Sequence, residues 1–93
     1  EEVEALLAEH ESVTECVVVG VPDPRWGEEI VAFVVPADRS SDPEVAELRE
    51  HLKAGLASYK VPKRWFTVSE IPQTRAGKTD RSPERLFQSA TGI

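Results

Sequence analysis

Ninety-three residues with 40% hydrophobic and 30% charged side chains make one small globular domain with one modest core. A chain of this size leaves much of its surface wet, which excludes a deep pocket enclosed on all sides unless a second domain or partner closes it. The formal net charge of −6 argues against nonspecific nucleic-acid binding, which needs a broad basic face.

Glu2-Val3-Glu4-Ala5-Leu6-Leu7-Ala8-Glu9 places Val3, Leu6 and Leu7 on one helical face with acids opposite. This helix opens without a capping residue, so the natural chain is expected to continue upstream. Cys16-Val17-Val18-Val19-Gly20-Val21 and Ile30-Val31-Ala32-Phe33-Val34-Val35 are apolar at odd and even positions alike, and read as strands covered on two faces. Pro22 to Glu28 holds two prolines and Gly27, and is expected to be a loop turning an antiparallel pair. Asp42 with Pro43, or Ser41 with Glu44 as a capping box, would start a helix. In that helix Val45, Leu48, Leu52, Leu56 and Tyr59 recur at helical spacing around Gly55, a position that would suit a close contact. Pro62 ends it, Trp65-Phe66-Thr67-Val68 reads as a third strand, residues 69–81 as a polar loop, and Ser82-Pro83-Glu84 as the start of a last helix. The order predicts a small α+β sandwich, a three-stranded sheet packed with about three helices, with no linker dividing residues 1–93.

Most chemistry is thinly represented. Cys16 is the only cysteine, which excludes an internal disulfide and a structural zinc site and leaves a small buried strand residue. His10 and His51 have no second ligand at metal spacing and are expected on the surface. No metal site is expected, and paired catalytic carboxylates cannot be picked out from acids that look like helix-surface charge. No apolar run approaches the roughly 18 residues of a membrane span and no basic, apolar leader opens the chain, so it reads as cytoplasmic.

The exception is Lys78. Residues 1–59 hold 4 Lys/Arg against 14 Asp/Glu, whereas residues 60–93 hold 7 against 3, so the cations gather around it. An ammonium on a flexible stem has three donors and no acceptor, and Gly77 before it lets the backbone bring that stem close to an anion. Gly77-Lys78-Thr79 is not the end of a phosphate-binding P-loop: the first glycine of that motif would fall on Pro72, and Ser82-Pro83 restarts the helix too late.

Three motifs place the lysine in context. Val19-Gly20-Val21-Pro22-Asp23-Pro24-Arg25-Trp26-Gly27-Glu28, Tyr59-Lys60-Val61-Pro62 and Ile71-Pro72-Gln73-Thr74-Arg75-Ala76-Gly77-Lys78-Thr79-Asp80-Arg81 occur in one order and spacing. In all three the chain resembles the C-terminal domain of the adenylate-forming enzymes: acyl-CoA synthetases, nonribosomal peptide synthetase adenylation domains and luciferases. Gln73 departs from the pattern where a basic residue is usual, and Thr79 where an aliphatic is common; Gly77, Lys78 and Arg81 are kept.

The resemblance implies that Lys78 serves a step in which a carboxylate attacks the α-phosphate of ATP to give an acyl-adenylate and pyrophosphate, with Gly77 and Arg75 beside the nucleotide. It implies a second step in which the small domain swings about a hinge upstream of Glu1 and coenzyme A or a carrier-protein thiol takes the acyl group. Lys53 would then meet coenzyme A phosphates, and Gly20 and Arg25 would lie in the loop region brought inward. ATP, the carboxylate and magnesium would be held mainly by a large N-terminal domain outside these residues, and an acyl-CoA ligase, as in fatty-acid metabolism, is favoured. Isolated, residues 1–93 would fold and turn over nothing, and acetylation of Lys78 would erase its charge and its activity. The competing reading is a noncatalytic module that docks a carrier or partner protein through the strip from Lys60 to Arg85.

Overall fold

The computed structural model describes residues 2–25 and 27–93. A run apolar at every position is satisfied only by burial on both faces, and residues 31–35 are all buried. They form the middle of β2 (Gly27–Pro36), which pairs antiparallel with β1 (Val13–Asp23) and parallel with β3 (Arg64–Thr67). β4 (Thr91–Gly92) pairs antiparallel with β3, giving a four-stranded sheet in the order β1-β2-β3-β4. The α+β architecture is as expected, with one strand more than predicted, because a two-residue strand carries no periodicity to read. Parallel pairing of β2 with β3 needs a crossover, and residues 37–63 supply it through α2 (Val45–Lys53) and a 3-10 turn at Ser58–Lys60. α1 (Glu2–Leu7) and α3 (Pro83–Gln88) complete the helices.

Side chains alternate across a strand with period two, so neighbouring residues of β2 feed different cores. Ala32 and Val34 join Leu7 of α1 and Leu48 and Leu52 of α2 on one face, with Val13, Val61 and Trp65. Val31, Phe33 and Val35 join Leu86 of α3 on the other, with Val17 and Val68. There Phe33, Phe66 and Phe87 form a triangle of rings with centroids 5.0 to 5.5 Å apart. Each such contact is worth about 0.5–1.5 kcal/mol beyond the area it buries.

Several expectations are corrected. Pro22 and Glu28 are not loop: Pro22 pairs with Glu28 and Asp23 with Gly27, so the connection shrinks to 24–26, and Trp26 of the first motif lies outside the described residues. The main helix ends at Lys53 instead of reaching Tyr59, which is 75% exposed. The N–H groups of Ala54 and Gly55 turn back to Glu50 and Leu52, and the chain leaves the helix so that Val61 and Trp65 can reach the sheet. Gly55 thus lies outside the helix, yet the close contact expected there is real: a Cβ would sit 2.9 Å from Leu6 Cδ2. α2 starts at Val45 with Glu44 before it and no side-chain cap, so neither Asp42 nor Ser41 has that role. Ser82 does precede α3, but its hydroxyl does not cap; the Asp80 carboxylate accepts the Ser82 N–H at 3.0 Å instead.

His10 and His51 are half-buried, not surface residues. Their rings meet edge to face, 5.3 Å between centroids, where α1 packs on α2. His51 Nε2 donates to the Leu6 carbonyl at 2.8 Å, and His10 Nδ1 accepts the Ser12 N–H at 3.1 Å. A carbonyl near the end of a short helix needs a donor, and an imidazole from the next helix supplies it. Cys16 is likewise half-buried: its thiol donates to the Glu4 carbonyl at 3.5 Å, and burial, with Glu4 nearby, pushes its pKa up to about 11.

Candidate functional site

The segment read as a polar loop is an ordered hairpin. The Asp80 N–H donates to the Pro72 carbonyl at 2.9 Å, Gln73 bridges Thr79, and the Thr74 N–H donates to the Lys78 carbonyl at 2.8 Å. The Gly77 N–H closes the tip on the Thr74 carbonyl at 2.9 Å. This is the pattern of a three-residue hairpin loop, a turn closed by a residue in the left-handed region, and Gly77 has φ +80°. A Cβ at Gly77 would meet nothing within 4 Å, so the demand for glycine is conformational and not steric.

Lys78 follows directly, held at both its main-chain groups: its carbonyl accepts from Thr74, and its N–H donates to Thr74 Oγ1 at 3.4 Å. Residues 73–79 are all exposed. Neither Arg75 nor Lys78 has a hydrogen-bond or ion-pair partner for its charged head among the described residues.

Four of the other five cations of the basic half form ion pairs. Lys60 pairs with Glu2 at 2.7 Å, Arg64 with Glu29 at 3.5 Å, Arg85 with Asp80 at 3.7 Å and Arg81 with Glu4. In three of these pairs the fold brings an acid of the first half to a base of the second, which offsets most of the basic half's charge while the acidic half keeps its excess. What the fold leaves unneutralised on the hairpin tip is Arg75 and Lys78, a pair of cations three residues apart and open to an anion from outside.

Arg81 anchors the base of that hairpin. Its guanidinium takes both oxygens of Glu4, Nη1 to Oε2 at 2.7 Å and Nη2 to Oε1 at 2.5 Å, and Nη1 also reaches the Val18 carbonyl at 3.3 Å. Glu4 Oε2 accepts the Val18 N–H at 2.7 Å. Burial pushes the Glu4 pKa upward, but the Arg81 hydrogen bond, the Val18 N–H and the guanidinium charge outweigh it, and the carboxyl lies below its ordinary value. Nothing in the spacing of the sequence marks Glu4, which looks like one more acid on a helix surface.

The remaining predicted site residues do not converge on the tip. Gly20 lies within β1, paired with Ile30, and not in a loop. A Cβ there would overlap the Glu28 carboxylate, so glycine is what lets that side chain lie across the strand. Gly20, Glu28, Val18, Ile30 and Arg81 line a shallow cavity of about 250 Å³, which puts Gly20 beside the hairpin's anchor. Arg25 sits at the β1–β2 turn, its N–H bonded to Asp23 Oδ1 at 2.8 Å. Lys53, on α2, pairs with Glu50 at 3.6 Å. Among the described residues no group of three or more His, Cys, Asp or Glu is placed to hold a metal ion, and no helix is long and apolar enough to cross a membrane.

Residues 2–78 match the model of the AMP-binding enzyme C-terminal domain. The chain is similar to human acyl-coenzyme A synthetase ACSM5, mitochondrial, 50% identical over 88 residues, which is 90% of this chain and 15% of that protein. Among solved structures it is similar to the amide bond synthetase McbA from Marinactinospora thermotolerans, with TM-score 0.82 and 43% identity over 92% of this chain and 17% of that one. It also resembles the o-succinylbenzoate CoA synthetase MenE of Bacillus subtilis, bound there to a product analogue, with TM-score 0.84 and 30% identity over 99% of this chain and 18% of that one. With its sheet, its helices and its lysine hairpin in place, the chain belongs to the AMP-binding enzyme C-terminal domain family.

Proposed function

We propose that residues 1–93 are the small lid domain of an ATP-dependent, AMP-forming acid–thiol ligase, and that Lys78 is its contribution to the chemistry. The observation that carries this is an unneutralised ammonium fixed by its main chain at the tip of an exposed hairpin, inside a family match. In the reaction a carboxylate oxygen attacks the α-phosphorus of ATP; the new P–O bond gives the acyl-adenylate, and the bond to pyrophosphate breaks. A thiol then attacks the acyl carbonyl and AMP leaves. The first step forces two anions together, and unit charges 4 Å apart repel by about 4 kcal/mol in the surroundings of a protein surface. An ammonium placed between them offsets that repulsion and meets the charge growing on phosphorus.

Arg75 supplies a second cation to the nucleotide side and Gly77 the turn that presents both. For the thiol step we assign Gly20 and Arg25 to the face turned inward and Lys53 to coenzyme A phosphates, on the resemblance alone. Magnesium, when bound, would neutralise phosphate charge; we assign it to the large N-terminal domain. Coenzyme A is the proposed acceptor and a fatty acid the proposed acid, on the similarity to acyl-coenzyme A synthetase ACSM5, of which the chain spans 15%. The cytoplasm is the proposed location; fractionation of cells carrying the tagged full-length enzyme decides between it and the mitochondrion named for one relative.

The test is carboxylate-dependent ATP–pyrophosphate exchange by the full-length enzyme. Lys78→Ala is expected to lower adenylation by about 10²–10³-fold, or roughly 3–4 kcal/mol, while thioester formation from supplied acyl-adenylate stays nearly intact. Equal loss in both half-reactions, or exchange that does not need Lys78, rejects the role and leaves the docking-module reading in its place.

A further inference from the structure

We infer that Arg81 is a positioning residue for Lys78, acting through its two-pronged fork with Glu4; this rests on the adenylation role proposed above. The hairpin is joined to the body of the domain at its two legs. On the incoming leg Ile71 packs against the core under α3. On the outgoing leg, three residues beyond Lys78, Arg81 grips Glu4 through its two terminal guanidinium nitrogens, Nη1 and Nη2, at 2.7 and 2.5 Å. A bidentate contact fixes the plane of the guanidinium as well as its distance, which a single ammonium would not do.

The fork is itself locked to the sheet. β1 is an edge strand, and Val18 turns an N–H and a carbonyl outward from it. The N–H goes to Glu4 Oε2 and the carbonyl accepts from Arg81 Nη1, so the pair occupies the place a neighbouring strand would take. Glu4 is 14% exposed, against 44% for Arg81, so the acid is the buried half of the lock. Three residues of extended chain span at most about 10 Å, so a pin at Arg81 limits the arc through which Lys78 can swing. Residues 73–79 are exposed throughout, and the fork is the charged contact that indexes the outgoing leg to α1 and β1.

A misplacement of about 1 Å at a reacting centre costs on the order of 100-fold in rate. In the full-length enzyme Arg81→Ala is therefore expected to lower the adenylation kcat by about 30- to 100-fold while the KM for ATP and for the carboxylate moves by less than about 3-fold. Thioester formation from supplied acyl-adenylate should stay within about 2-fold of wild type, because Lys78 does not serve that step. Arg81→Lys, which keeps the charge and loses the fork, should recover only part of the rate. Glu4→Gln should lower adenylation in the same selective way, and adding it to Arg81→Ala should cost little more, since both break one unit. Equal loss in both half-reactions with a lowered Tm would reduce the fork to a stability contact, and full activity of Arg81→Lys would overturn the geometric argument. Lys78→Ala measured alongside separates the two claims. If it is impaired and Arg81→Ala is not, positioning alone fails; if Lys78→Ala adenylates normally, both fall.

Discussion

Gly77 is the position at which one methyl group should cost activity without costing stability. Its φ of +80° lies where an L-residue is disfavoured by about 1–2 kcal/mol, while the space around the missing Cβ is open. Gly77→Ala therefore strains the backbone and touches nothing else. The tip is held by the Thr74–Lys78, Gly77–Thr74 and Lys78–Thr74 hydrogen bonds, all solvent-exposed and worth about 0.5–1.5 kcal/mol each at most. A strain of 1–2 kcal/mol is thus comparable with the net stability of the tip, and the hairpin relieves it by opening. The population holding Lys78 correctly should fall by roughly 5- to 30-fold, and kcat/KM for adenylation with it. The melting temperature should not follow, because residues 73–79 pack on no core. Gly77→Asn, which tolerates the left-handed region better than alanine, should lie between alanine and wild type. The assay is ATP–pyrophosphate exchange on the full-length variants, with differential scanning fluorimetry in parallel. Wild-type exchange by Gly77→Ala, or a loss no smaller in Gly77→Asn, would refute the conformational argument.

Two further predictions concern the neighbourhood of the fork. The Cys16 pKa, pushed up to about 11 from an ordinary 9.0, leaves its thiolate about 100-fold scarcer near pH 8, so site-resolved mass spectrometry should find Cys16 alkylated by iodoacetamide at least about 100-fold more slowly than a model thiol; labelling at the rate of an exposed cysteine would contradict the packing of α1 on β1. The Glu4 pKa is depressed below its ordinary 4.5, so the stabilisation it gives is fully present above that pH and is lost as pH falls through the folded value. Hydrogen exchange at Val18, corrected for intrinsic rate, should show protection that is constant from neutrality down to about pH 4.5 and falls below it, and that is weaker in Glu4→Gln at neutral pH. Protection that ignores both pH and the substitution would show that Glu4 is not what holds the strand edge.

Local chemistry made much of this domain legible. Residues 30–35 are apolar at every position and ask for burial on two faces; the sheet buries 31–35 on both, and leaves Ile30 half-buried at the end of the run. The turn at Gly77 was visible because glycine before a lone lysine has a conformational meaning that does not depend on distant residues. The same local reading overshot where periodicity continued past a break: Leu56 and Tyr59 keep helical spacing, yet the chain leaves the helix after Lys53 so that Val61 and Trp65 can reach the sheet. It undershot at Thr91 and Gly92, whose pairing is decided by β3 and not by their own pattern.

By itself the sequence determined the two-faced strand, the lysine turn and the motif order, because each depends on residues within a few positions of one another. Which cations stay free, and what holds the hairpin, only the tertiary structure decided. Arg81 and Glu4 are 77 residues apart, and Lys60 and Glu2 are 58 apart. A basic half and an acidic half look like two surfaces until folding sets three bases of the one against three acids of the other, and among the described cations of the basic half the two on the hairpin tip are left without a partner.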